Sequence, residues 1–168
     1  IIQGVERIVT LGVDGINLAL ALLHSLCAFT GTLVSFSIRE RVKEYYLFYL
    51  TLIGGVFGVF LSQDVFFFYV FYEMAVIPMY PLIVFWGSTE KEYASMKLTL
   101  YLTAGAALAL FGLLIIYTVS GSSSFDLQEL HRLVRQAPLP LGLQKFTALL
   151  LIVGFGIIAP MWPFHSWS

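Results

Sequence analysis

The sequence is short of charge. Of its 168 residues, 11% are Asp, Glu, Lys or Arg, while 59% are hydrophobic and 16% aromatic. Soluble domains carry about 25% charged residues, so the chain lacks the polar surface to cover a globular fold and is expected to be an integral membrane protein. A formal net charge of −1 supplies no basic patch for nucleic acid. The single cysteine, Cys27, excludes an internal disulfide, and no CxxC or Cys/His cluster offers zinc or iron–sulfur ligands. His24, His131 and His165 are not paired at matched spacing on two spans, which argues against haem. Neither a GxGxxG nor a Walker loop is present, so nucleotide chemistry is not expected in this chain. The start, IIQGVERIVTLGVDG, has no basic n-region followed by an apolar h-region, so it does not read as a signal peptide. With no initiator Met and an apolar motif at its end, the chain reads as a fragment of a longer protein.

What the chain does have is long apolar runs. A bilayer core of about 30 Å takes about 20 helical residues, and five spans are predicted, at about 16–38, 45–62, 65–87, 93–120 and 143–167. All are expected to be helices, because an open strand leaves its backbone unsatisfied in lipid. The fold class is therefore an all-α, polytopic transmembrane bundle, in one domain. Arg39, Arg41, Lys43, Lys91 and Lys97 fall on one side; Arg7, Arg132, Arg135 and Lys145 fall on the other. That bias of five against four makes the first side cytoplasmic by the positive-inside rule. Between the fourth and fifth spans, Phe125, Leu127, Leu130 and Leu133 recur at helical spacing among Asp126, Glu129, Arg132 and Arg135. This predicts an amphipathic helix at about 124–136 lying in the interface, ended by Pro138 and Pro140.

The candidate site begins with Glu73, the one charge in the third span. A carboxyl at that depth costs a few kcal/mol and is a functional-site hypothesis by default. Pro78 and Pro81 follow it, each lacking an N–H and so freeing the carbonyl one turn earlier, at Met74 and Ile77. Tyr69 and Tyr80 share its helical face. His24 lies at a similar depth, roughly 12–14 Å in at 1.5 Å per residue. It either shares a proton with Glu73, if their helices are neighbours, or bonds a backbone carbonyl. Lys97, a turn inside the fourth span, either snorkels to the interface or acts as a relay cation. The fifth span ends GFGIIAPMWPFHSW, where Gly156, Pro160 and Pro163 predict a helix break of the kind that lines ion or substrate sites. An ordinary proline kink is the alternative. His165, just past the break, is of the residue type suited to passing protons.

Four blocks carry a resemblance: GVDGINLAL at 12–20, FYEMAVIPMYPLIVFWG at 71–87, YASMKLTLYLTAGAAL at 93–108 and PMWPFHSW at 160–167. In order and spacing they resemble the antiporter-like subunits of complex I, NADH:quinone oxidoreductase, of the chain M type. The resemblance covers nearly the whole chain. It implies an inverted-repeat fold with a discontinuous helix near Pro160, in a subunit that translocates protons while redox chemistry runs elsewhere. It also implies an energy-transducing membrane, in a bacterium the plasma membrane, with other membrane-arm subunits as partners. No cofactor is expected in this chain; NADH, FMN, iron–sulfur clusters and quinone would belong to partner subunits. On this resemblance Glu73 takes the place of the family's essential glutamate, Lys97 of its lysine and Pro160 of its helix break. The family usually has a lysine two residues before that proline, where this chain has Ile158. An ammonium there would favour the charged carboxylate, and without it desolvation favours the neutral acid. A degenerate channel, a stand-in cation such as His24 or Lys97, and a cation from outside the chain are all open. The same fold also serves cation/proton antiporters of the Mrp type and membrane-bound hydrogenase-type complexes.

Overall fold

The computed structural model describes residues 11–13 and 15–168. Asp14 of the GVDG block and Arg7 lie outside the described residues. Six α-helices follow in order: α1 Gly15–Ser35, α2 Val42–Leu61, α3 Val65–Trp86, α4 Lys91–Ser120, α5 Leu127–Gln136 and α6 Leu141–Ile158. A short 3-10 turn, His165–Trp167, follows. Five of the helices, all but α5, are long and apolar enough to cross a membrane. The 30 residues of α4 make it about 45 Å long at 1.5 Å per residue, so its ends stand outside a bilayer core.

The fifth span differs from its predicted extent of 143–167. Its helix stops at Ile158 because Pro160 and Pro163 have no N–H with which to continue the ladder. The amphipathic helix starts at Leu127, three residues later than expected, because Asp126 caps it. The Asp126 carboxylate accepts from the N–H groups of Gln128 at 2.8 Å and Glu129 at 3.0 Å. Asp64 does the same for α3, accepting from Phe66 at 2.8 Å and Phe67 at 3.1 Å. Both caps satisfy backbone donors that lipid cannot.

The core is a line of helices: α2 packs on α3, α3 on α4, and α4 on α6, while α1 rests more lightly on α2. Small residues set the closest approaches, as is usual where lipid removes the hydrophobic drive between helices. A Cβ added to Gly55 of α2 would stand 2.6 Å from the Ala75 backbone nitrogen of α3. One added to Gly154 of α6 would stand 2.6 Å from the Ala109 nitrogen of α4. At one end of the bundle the short turn between α2 and α3 is tied to the segment before α5. Val65 N–H donates to the Phe125 carbonyl and Leu127 N–H to the Gln63 carbonyl, both at 3.0 Å. At the other end the Trp86 indole donates to the Glu40 carbonyl at 3.0 Å, fixing the end of α3 to the loop that enters α2.

Candidate functional site

Glu73 sits in the middle of α3, half-buried, with its Oε1 atom buried and without a hydrogen-bond partner. Unpaired buried oxygens of this kind are costly, and the fold tolerates this one on a helix apolar enough to cross a membrane. Around the carboxyl is a shallow concavity lined by Thr51 of α2 and by Tyr69, Val70, Met74, Ile77 and Pro78 of α3. Tyr69, one turn before Glu73, is electrostatically coupled to it. Tyr80, expected on the same face, is exposed and does not line this concavity. α3 runs unbroken through Pro78 and Pro81, so the two freed carbonyls lie within a continuous helix.

Behind α3 lies a second cavity of about 210 Å³, walled by Val59 of α2, by Phe68, Tyr69 and Tyr72 of α3, by Ala106, Ala109, Leu110 and Leu113 of α4, and by Phe155 and Ile158 of α6. Only the two tyrosines bring polar side-chain atoms to it. The Tyr72 hydroxyl donates to the Leu102 carbonyl of α4 at 3.4 Å. Ile158, where the resemblance expects a lysine, therefore faces the same space as the two tyrosines that precede Glu73 in α3. Its aliphatic side chain leaves the cavity apolar.

The remaining expected residues are placed apart from this pair of cavities. His24 lies on α1 against α2, where its Nε2 donates to the Ile53 carbonyl at 3.3 Å. The rings of Phe57 and Phe60 meet it edge-on at 4.8 and 6.0 Å. Of the two readings of His24, the geometry is that of the backbone-bonded histidine, and no hydrogen bond or ion pair joins it to Glu73 among the described residues. Lys97 is half-buried on α4, with its ammonium 5.6 Å from the Tyr93 ring centroid. Its concavity is lined by Tyr93, Met96, Leu100 and Tyr101, all from α4. His165 is exposed in the turn after the break.

The break itself is more tightly bonded than its prolines alone imply. The Gly156 carbonyl, expected to be freed by Pro160, instead accepts from the Met161 N–H at 2.9 Å. Gly156 is buried, while Pro160 and Pro163 are exposed. The Trp167 indole returns to donate to the Ile157 carbonyl at 2.9 Å. Sequence reading did not anticipate this contact, nor Tyr72 on Leu102; a Trp nine residues past a helix end gives no periodic signal. Among the described residues no group of three His, Cys, Asp or Glu is placed to hold a metal.

Comparison with known proteins places this arrangement. Residues 62–168 match the family model described as NADH:quinone oxidoreductase/Mrp antiporter, transmembrane. NAD(P)H-quinone oxidoreductase chain 4 1 of Picosynechococcus is 32% identical over 158 residues, covering 94% of this chain and 29% of that protein. In the solved respiratory complex I from Thermus thermophilus with bound NADH, one chain matches with a TM-score of 0.80 at 29% identity. That match covers 94% of this chain and 32% of the other. The membrane-bound sulfane sulfur reductase, an archaeal respiratory membrane complex, contains a chain with a TM-score of 0.67 at 26% identity, covering 77% of this chain and 26% of that one. The chain thus spans about a third of the length of the relatives it matches. With the family model matched over most of its length, this chain is a membrane protein that belongs to the NADH:quinone oxidoreductase/Mrp antiporter transmembrane family.

Proposed function

We propose that this chain is part of a proton-translocating membrane-arm subunit of an NADH:quinone oxidoreductase, with Glu73 as the group that takes up and releases the proton. The observation that carries the reading is the Glu73 carboxyl, with one oxygen buried and unpaired at mid-helix. A carboxyl left without a fixed partner is free to alternate between its charged and neutral forms as its surroundings change. Moving one charge across the membrane potential is worth about 2.3 kcal/mol per 100 mV. Small changes in the environment of this carboxyl are thus enough to bias the direction of transfer.

In this reading the chain holds no redox centre. NADH, FMN, the iron–sulfur clusters and quinone act in partner subunits, and electron transfer there drives the change felt at Glu73. Its partners are the other membrane-arm subunits and the lipid bilayer of an energy-transducing membrane, in a bacterium the plasma membrane. Lys97 and His165 are proposed as proton-relay groups, and Gly156, Pro160 and Pro163 as the break that ends α6 at the interior cavity. The test is Glu73→Gln in the assembled complex. Proton pumping coupled to quinone reduction is expected to stop, and wild-type pumping in that variant would reject the assignment.

A second reading follows from the likeness to the sulfane sulfur reductase chain and from the family description, which names Mrp antiporters. In it the same site exchanges protons for cations, in an Mrp-type antiporter or a membrane-bound hydrogenase-type complex. Co-purification with NADH-oxidising subunits supports the first reading, and sodium-dependent proton movement without them supports the second.

A further inference from the structure

Among the described residues, Tyr69 is the only one that lines both the concavity holding Glu73 and the cavity behind α3. Its spacing of four residues places it over the carboxyl on one helical face. The concavity on the Glu73 side has one other side-chain hydroxyl, that of Thr51, which is already donated to the Leu47 carbonyl at 2.7 Å. On the far side, the Tyr72 hydroxyl is directed to the Leu102 carbonyl. Of these three hydroxyls only that of Tyr69 has no backbone acceptor; its side-chain hydrogen-bonding neighbour is the Glu73 carboxyl, whose Oε1 atom is buried and without a donor. A phenol both donates and accepts, so it can serve either protonation state of the acid. The cavity behind it offers too few polar partners to hold water in order, so the phenol also separates the carboxyl from a dry space.

We propose that Tyr69 is a positioning residue for Glu73: its hydroxyl turns onto the unpaired carboxyl oxygen when Glu73 is charged, and its ring closes the acid off from the cavity between α3, α4 and α6. When Glu73 is protonated, the phenol oxygen accepts from the carboxyl O–H instead, and no bond beyond this hydrogen bond forms or breaks. The hydroxyl thereby holds the exchangeable proton on the concavity side and keeps it from leaking inward. This inference rests on the reading of Glu73 as the proton-carrying group.

The experiment uses the assembled complex in membranes, with three variants. Glu73→Gln identifies the infrared C=O stretch of the protonated Glu73 carboxyl by its disappearance. Tyr69→Phe keeps the ring and removes the hydroxyl. That stretch is then expected to move to higher wavenumber, and proton transfer to slow by about tenfold or more, as befits loss of a hydrogen bond to a charged group. Quinone reduction should lose its coupling to pumping without losing assembly. Replacing Tyr69 with 3,5-difluorotyrosine keeps the shape and makes the phenol oxygen a poorer acceptor from the carboxyl O–H, so the same stretch is expected to move to higher wavenumber, by less than in Tyr69→Phe; this arm decides the matter if Tyr69→Phe fails to assemble. A stretch and a pumping stoichiometry unmoved by both Tyr69 changes would overturn the inference alone. Wild-type pumping in Glu73→Gln would instead overturn the reading on which it rests.

Discussion

The Trp167 indole donates to the Ile157 carbonyl at 2.9 Å, so a side chain from beyond the helix break caps the helix before it. The last carbonyls of any helix lack intrahelical donors, and in lipid no water replaces them. With Met161 N–H on the Gly156 carbonyl, the end of α6 is held by two donors from the segment that follows it. This fixes Ile157, which is buried, and Ile158, which lines the interior cavity. Trp167→Phe keeps an aromatic ring and removes the donor. It is expected to lower stability by about 1–2 kcal/mol, the cost of leaving one buried acceptor unpaired. Thermal unfolding of the purified complex, with hydrogen exchange localised to the end of α6, checks this; unchanged exchange there would show that the cap does not hold the helix end.

The α4–α6 seam makes a prediction about size. A Cβ on Gly154 would stand 2.6 Å from the Ala109 nitrogen and 2.8 Å from the Gly105 carbonyl oxygen, both backbone atoms that cannot swing aside. Gly154→Ala must therefore push the two helices apart. The expected cost is about 1–3 kcal/mol, as for other overpacked interiors. Gly142→Ala near the start of α6, where nothing lies within 4 Å of the added carbon, is the control and should leave the melting temperature within error. Equal melting temperatures for the two variants would contradict the packing.

How much of this was legible in the sequence follows from what kind of signal each feature leaves. The five spans come from hydropathy, which acts over about 20 residues and is hard to miss. The break after α6 is written in Pro160 and Pro163, whereas the cap at Asp126 is hidden among the other polar residues of the amphipathic helix. Glu73 announces itself because it is alone. What the sequence does not carry is which helix faces which. His24 and Glu73 share a depth, but depth is one coordinate, and the bundle order α1–α2–α3 puts α2 beside the imidazole. Likewise Tyr72, Ala109 and Ile158 share a cavity only because Gly105 and Gly154 let α4 and α6 close up. Such long-range contacts leave no local periodicity.

The last prediction concerns whether position 158 communicates with Glu73. Ile158 faces the cavity that Tyr69 and Tyr72 also line, and both tyrosines stand within the turn before Glu73 in α3. Ile158→Met conserves volume and polarity and is expected to cost less than about 1.5 kcal/mol. Ile158→Lys brings an ammonium into a space with only two phenols, and a buried charge is tolerated only when paired. With Glu73 present as a partner, the lysine is expected to be accommodated at a measurable loss of stability. In the Glu73→Gln background the partner is gone, so the same lysine should cost about 1 kcal/mol more, within the range found for residues that share a network. Melting temperatures of the two single variants and the double variant close the cycle. Additivity within about 0.5 kcal/mol would mean that residue 158 and Glu73 do not sense one another. A coupling of the expected sign would show that the isoleucine leaves vacant a working electrostatic position.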